Sequence, residues 1–208
     1  QYRNSGGCFG MYAITCCSPA DLPAQFYQKT GISSAKFHFS MNGVEYDDDL
    51  GLSISPEEFY QQIRQGALPV TSQVNVQQYE DLFEPILRSG KDLIHLTLSS
   101  GISGSIGSAR IAARELSERY PNRRIQIIDS LAAASGYGLL VEEAYCRQQE
   151  GMSFDQLVSW TEEIKLKLHH WFFSTDLTHF RRGGRISASS AFFGNMLNIC
   201  PLMNVNSQ

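Results

Sequence analysis

The sequence predicts an α/β fold, and three kinds of signal predict it. Short apolar runs alternate with amphipathic stretches along the chain, the pattern of strands layered with helices. The amphipathic stretches open on capping residues and close on glycines at 31, 66, 90 and 151, as helices do. No internal repeat and no low-complexity linker interrupts the alternation. A length of 208 residues suits one large domain or two small ones, with a weakly marked boundary near residue 165.

The elements follow in order. Residues 1–10 show no periodicity and read as a tag-like or disordered leader, with Met11 as the natural start. Residues 11–15 read as the first strand and residues 22–30 as a short helix stopped by Gly31. Ala35, Phe37, Phe39 and Met41 alternate with polar residues, and Asn42-Gly43 then leads into residues 44–46, a hairpin signal. Ser55-Pro56-Glu57-Glu58 starts a helix: serine caps, proline fits the first turn and Glu58 closes a capping box. Phe59 and Ile63 share its face. Asn75 with Gln78 repeats the capping pattern, and Tyr79, Leu82, Phe83, Ile86 and Leu87 form one apolar stripe behind it. Residues 93–98 are a buried-strand candidate. After a Gly/Ser-rich loop comes a helix carrying Ala109, Ala112, Ala113 and Leu116. Residues 124–129 read as a strand and 132–149 as a helix. Ser153 caps a further helix with Leu157, Trp160, Ile164 and Leu168. Residues 171–174 and 199–205 read as strands, separated by a glycine-bearing turn and helix over 181–198.

Composition narrows the function. The chain is 42% hydrophobic and 18% charged with a net charge of −4, so no global basic field points to nucleic acid. No apolar run reaches the roughly 18 residues of a membrane helix, and no secretory signal is legible at the start. The five cysteines, Cys8, Cys16, Cys17, Cys146 and Cys200, make neither a disulfide framework nor a paired CxxC zinc site. A reducing cytoplasm is the expected compartment.

Three segments carry candidate chemistry. Residues 98–108, Leu-Ser-Ser-Gly-Ile-Ser-Gly-Ser-Ile-Gly-Ser, follow a predicted strand and open a predicted helix. Hydroxyls and backbone N–H groups at a helix N-terminus favour an anion, though a serine-rich cap accounts for the same residues equally well. The loop has no P-loop lysine and no GxGxxG spacing, and a single carboxylate suits it better than a polyphosphate. Val70-Thr71-Ser72-Gln73 reads as a polar turn between two helices. Around Gly183-Gly184, Arg181, Arg182 and Arg185 form a cluster fit for phosphate or an acidic partner, or for water alone. Asp47, Asp48 and Asp49 lack EF-hand spacing and read as a solvated loop. His95 reads as a satisfied core histidine, and Cys16-Cys17 as buried inert thiols. His169 and His170 are adjacent and cannot form an i, i+4 metal pair.

In order, Ser18-Pro19-Ala20-Asp21-Leu22-Pro23, Thr71-Ser72-Gln73, the serine loop, Ile128-Asp129-Ser130, residues 177–187 and residues 194–202 resemble the DegV family. The resemblance implies a two-domain α/β fold, with an N-terminal parallel-sheet domain over 11–165. A second α/β domain would begin at 166–208 and be incomplete relative to the family. It also implies a bound long-chain fatty acid, with the carboxylate held by Thr71, Ser72, Ser99, Ser100 and Ser103 and with Gly104 nearby. The family role it implies is non-catalytic: the chain presents the lipid to a partner kinase that brings ATP, and takes no cofactor or metal of its own. Arg181, Arg182 and Arg185 are the expected docking residues for that kinase, and transient membrane contact for lipid exchange is compatible with the role. The sequence departs from the family pattern in three places. Cys16-Cys17 stand where an acidic residue is usual, Val74 stands where proline is usual, and the chain stops at Gln208. The competing readings are a phosphotransferase subunit acting on a small hydroxylated substrate and a non-catalytic regulatory module.

Overall fold

The computed structural model describes residues 12–174, 176–186, 200 and 202–204. The expected leader and most of the helix expected over 181–198 lie outside the described residues. The chain opens with strand β1 (Tyr12–Cys17), a 3₁₀ turn (Ser18–Ala20), helix α1 (Ala24–Thr30) and strand β2 (Ser33–Ala35). Strands β3 (His38–Met41) and β4 (Val44–Asp47), helix α2 (Pro56–Arg64) and strand β5 (Val70–Ser72) come next. Helix α3 (Val76–Arg88), β6 (Asp92–Thr97), α4 (Ser105–Arg119), β7 (Ile125–Asp129), α5 (Ala134–Gln149) and α6 (Phe154–Ile164) follow. Beyond a second 3₁₀ turn (Lys165–Lys167) lie β8 (Trp171–Phe173), α7 (Thr178–Arg182) and β9 (Leu202–Asn204).

The main sheet has the order β2-β1-β6-β7, with every pair parallel. Strand β6 is buried at all six positions, as a parallel strand covered on both faces must be. Leu93, Ile94, Leu96 and Ile128 form the core with Tyr79, Phe83 and Leu87 of α3, Ala109, Ala112 and Leu116 of α4, and Tyr137, Leu140 and Val141 of α5. Along α5, a Cβ on Gly138 would stand 2.3 Å from the carbonyl oxygen of Ala20. The helix backbone therefore rests directly on the turn after β1.

Local chemistry sets the helix ends. Asn75 with Gln78 and Ser153 with Gln156 form complete capping boxes. At α2 only half of the expected box forms: Ser55 accepts from the Glu58 N–H at 3.2 Å, while Glu58 accepts from the Gln62 side chain at 3.4 Å instead.

A second, antiparallel sheet has the order β4-β3-β5. Asn42 and Gly43 close its hairpin with φ of 53° and 80°, the two positive values a type I′ turn requires. Phe39 and Tyr46 on this sheet and Phe59 and Ile63 on α2 pack around a small core of Met41, Ile54 and Ala67.

Two expectations are corrected here. The alternation from Ala35 to Met41 is not one strand: residues 33–35 join the parallel sheet and residues 38–41 the antiparallel one. Alternation reports which face a side chain takes, not which sheet the backbone joins, and the crossing is held by the Phe37 N–H donating to Ser18 Oγ at 3.0 Å. Residues 70–72 are not a turn but strand β5, pairing His38 with Ser72 and Phe39 with Thr71. A strand of three residues is too short to show a period, and its partner lies far upstream.

Candidate functional site

In the main sheet β1 is followed by β2 on one side and β6 lies on the other. The chain therefore leaves the C-terminal ends of β1 and β6 in opposite directions, opening a crevice at the switch point where ligands of open parallel sheets bind. The turn Ser18–Ala20 forms one side of this crevice and the loop from Leu98 to Gly104 the other. Above it, a cavity of about 1120 Å³ runs against the small antiparallel sheet, the scale of a large ligand site.

Thr71 and Ser103 both line this cavity, together with Ser18, Leu98 and Ile102. Thr71 stands opposite Phe39 in the sheet register, so both side chains project from one face. Ser103 is 5% exposed, and its hydroxyl oxygen accepts from the Ser105 N–H at 3.3 Å, which leaves its own proton free to donate. The walls are otherwise largely apolar: Leu22, Phe37, Ile54, Phe59, Leu68 and Val70 are among them.

Of the other residues named from sequence, Ser72, Ser99, Ser100, Gly104 and Arg181 do not line the cavity. Ser72 is the last residue of β5, and its hydroxyl donates to the His38 carbonyl at 3.4 Å. Ser99 is fully buried; its hydroxyl accepts from Gly101 N–H at 3.2 Å and its carbonyl from Ser103 N–H at 3.1 Å. Ser100 is exposed, its N–H donating to Asp129 at 3.1 Å. Gly104 caps α4. Arg182 and Arg185 line the cavity while Arg181 does not, and Arg185 Nε donates to the Ile102 carbonyl at 3.2 Å.

Charge of both signs reaches the cleft. Asp21, Asp47, Asp48 and Asp49 contribute carboxylates, and His179, Arg182 and Arg185 contribute donors from α7 and the turn behind it. Burial, and then the neighbouring Asp48, push the Asp21 carboxyl above its usual range. Asp47 holds the His38 ring at 2.9 Å. Among the described residues no group of three or more His, Cys, Asp or Glu side chains is placed to hold a metal, and no helix is long and apolar enough to cross a membrane.

Below the crevice lies a buried polar layer. His95 Nδ1 and Thr15 Oγ1 are 2.8 Å apart, and burial lowers the imidazole pKa to about 3, which keeps it neutral. Burial, followed by the neighbouring Cys17, pushes the Cys16 thiol up to about 12; burial also raises Cys17. Neither thiol is poised as a nucleophile. The Tyr137 hydroxyl accepts from Cys17 N–H at 2.8 Å and donates to the Leu96 carbonyl at 2.6 Å, tying β1 to β6.

Sequence reasoning missed Ser18, Phe39 and the roof formed by α2 and the small sheet. The Ser18-Pro19 turn at the end of β1 was the available signal, since a switch-point crevice needs the loop after each diverging strand.

Comparison with known proteins gives a consistent picture. The family model described as "Uncharacterised protein, DegV family" matches residues 11–208. A DegV domain-containing protein of Clostridium perfringens is 38% identical over 195 residues, 94% of this chain and 67% of that protein. Among solved structures, a fatty-acid-binding DegV family protein from Thermus thermophilus is 28% identical with a TM-score of 0.83, covering 95% of this chain and 68% of that one. A stearic-acid-binding protein from Eubacterium ventriosum is 26% identical with a TM-score of 0.83, covering 94% and 67%. The chain thus spans about two thirds of the length of these relatives. With a family model matching nearly its whole length and a curated relative this similar, the chain belongs to the DegV family.

Proposed function

We propose that this protein binds a long-chain fatty acid, with the carboxylate between Thr71 and Ser103 and the tail along the apolar cleft, and presents the carboxylate to a partner kinase. One observation carries the reading: two hydroxyls from distant parts of the sequence open on a single, largely apolar cavity at the switch point of the sheet. The relatives described as fatty-acid-binding and stearic-acid-binding share this fold. Burial of a long tail contributes on the order of 0.8 kcal/mol per methylene, roughly ten kcal/mol before the costs of immobilisation. The tail therefore supplies affinity, and the head group needs placement more than strength. Hydroxyl donors at the start of α4 hold an anion there, and an oxygen left open to solvent is available for phosphorylation.

In this reading the chain does no chemistry, takes no cofactor and acts in the cytoplasm, where the kinase supplies ATP. Arg181, Arg182 and Arg185 serve that partner, with Arg185 also bracing the serine loop. Ser72, Ser99, Ser100 and Gly104 shape the strand and loop that carry the two hydroxyls. Native mass spectrometry of the purified chain tests the reading. A co-purifying mass of fatty-acid size is the expected result, and a chain that stays empty after incubation with palmitate overturns it.

A further inference from the structure

Thr71 lies on a strand of the small sheet and Ser103 in the loop after β6 of the main sheet, and something must hold them at a common distance. Strand β5 is exposed at all three positions and, among the described residues, pairs only with β3, so burial within the small sheet does not hold it. Val74, fully buried, anchors the chain just beyond it in the main core, and Gln73 lies between anchor and strand. Gln73 is itself exposed and stands two residues past Thr71, just beyond the end of the strand. It reaches the N-cap of α4: a Cβ built on Gly104 would stand 3.1 Å from Gln73 Nε2, 3.2 Å from Oε1 and 3.5 Å from Cδ. Gly104 has φ of −76°, a conformation open to any residue, so glycine here provides space and not backbone freedom. On the other side of Ser103, Arg185 Nε holds the Ile102 carbonyl at 3.2 Å.

From this geometry we infer that Gln73 is a positioning residue for the head group. Its side chain, lying flat on Gly104, seats the Thr71 strand on the first turn of α4 and sets the spacing of the Thr71 and Ser103 hydroxyls. The inference rests on the proposed fatty-acid function and adds a residue that itself lies outside the cleft. Ser103 stands between two tethers, Arg185 on Ile102 and Gln73 on Gly104, and only the second connects it to Thr71.

The test uses the full chain and two probes with the same tail, palmitate and methyl palmitate, each competing with a fluorescent fatty acid. Gln73→Ala is expected to weaken palmitate about tenfold, the scale of a misplaced hydrogen bond to a charged group, and to leave methyl palmitate within about twofold. A residue that only supported the fold would move both probes together. Gly104→Ala is expected to weaken palmitate less, and to add nothing in the Gln73→Ala background, because the amide it strikes is gone. Equal losses for both probes, an unchanged palmitate affinity, or full additivity of the two substitutions overturns the inference. Wild-type chain that binds neither probe overturns the fatty-acid reading itself, and is distinguished from these outcomes before any variant is made.

Discussion

Leu93 on β6 and Val70 on β5 are both aliphatic strand residues, yet Leu93 is wholly buried and Val70 is 65% exposed. The contrast extends to their surroundings. The parallel sheet is covered on both faces and closes its own core, whereas the small sheet and α2 leave Tyr60, Leu68 and Val70 uncovered along the cleft. Apolar surface of this kind facing a concave site marks a place for a ligand. One region thus supplies stability without the ligand, and the other keeps unsatisfied apolar area for it.

The comparison breaks most readily at Leu93. Leu93→Ala is expected to cost about 3 kcal/mol in urea unfolding, while Val70→Ala changes the free protein by less than about 0.5 kcal/mol. Equal costs would erase the distinction between the two regions.

Acid is expected to act on the same buried body. Burial depresses the folded pKa of His95 from 6.5 to about 3, so between those values the unfolded chain binds a proton that the folded chain refuses. The stability from the neutral imidazole is complete above about pH 6.5 and declines as pH falls toward 3. The loss should be on the order of 3 kcal/mol by about pH 4.5. Unfolding midpoints measured across that range should slope less in His95→Gln than in wild type.

In the cleft the expected effect is chiefly on binding. Thr71→Ala and Ser103→Ala should each weaken palmitate about tenfold; the melting temperature should stay unchanged in Thr71→Ala and fall modestly in Ser103→Ala, which also removes the acceptor of the Ser105 N–H. A melting temperature that falls along with affinity in Thr71→Ala would make that residue part of the body instead. A smaller loss of stability than at Leu93 is expected at the border of the two regions: Asn75→Ala removes one half of the α3 capping box and should cost about 1 kcal/mol, read by thermal unfolding.

The legible parts of the sequence were those in which single residues have decisive chemistry. Asn75 with Gln78, and Ser153, marked helix starts that the structure contains, and the stripe from Tyr79 to Leu87 marked the face that packs on β6. Strand β5 was illegible because its conformation depends on His38 and Phe39, residues that no local pattern connects to it. Within the serine loop, the type of residue was readable but its direction was not. Ser99 and Ser103 are the same amino acid four positions apart. Both hydroxyls accept from a backbone N–H, Gly101 for one and Ser105 for the other, yet only Ser103 lines the cavity. Gln73 was read only as part of the Thr71 segment for a related reason: its contact is with the space that a side chain on Gly104 would fill.

Gly138 has a reach greater than its size. Since any side chain there would collide with the carbonyl of Ala20, the turn carrying Ser18 would have to shift to admit one. A random-mutagenesis screen scored only on lipid uptake should accordingly return position 138 among its hits, although the residue does not line the cavity.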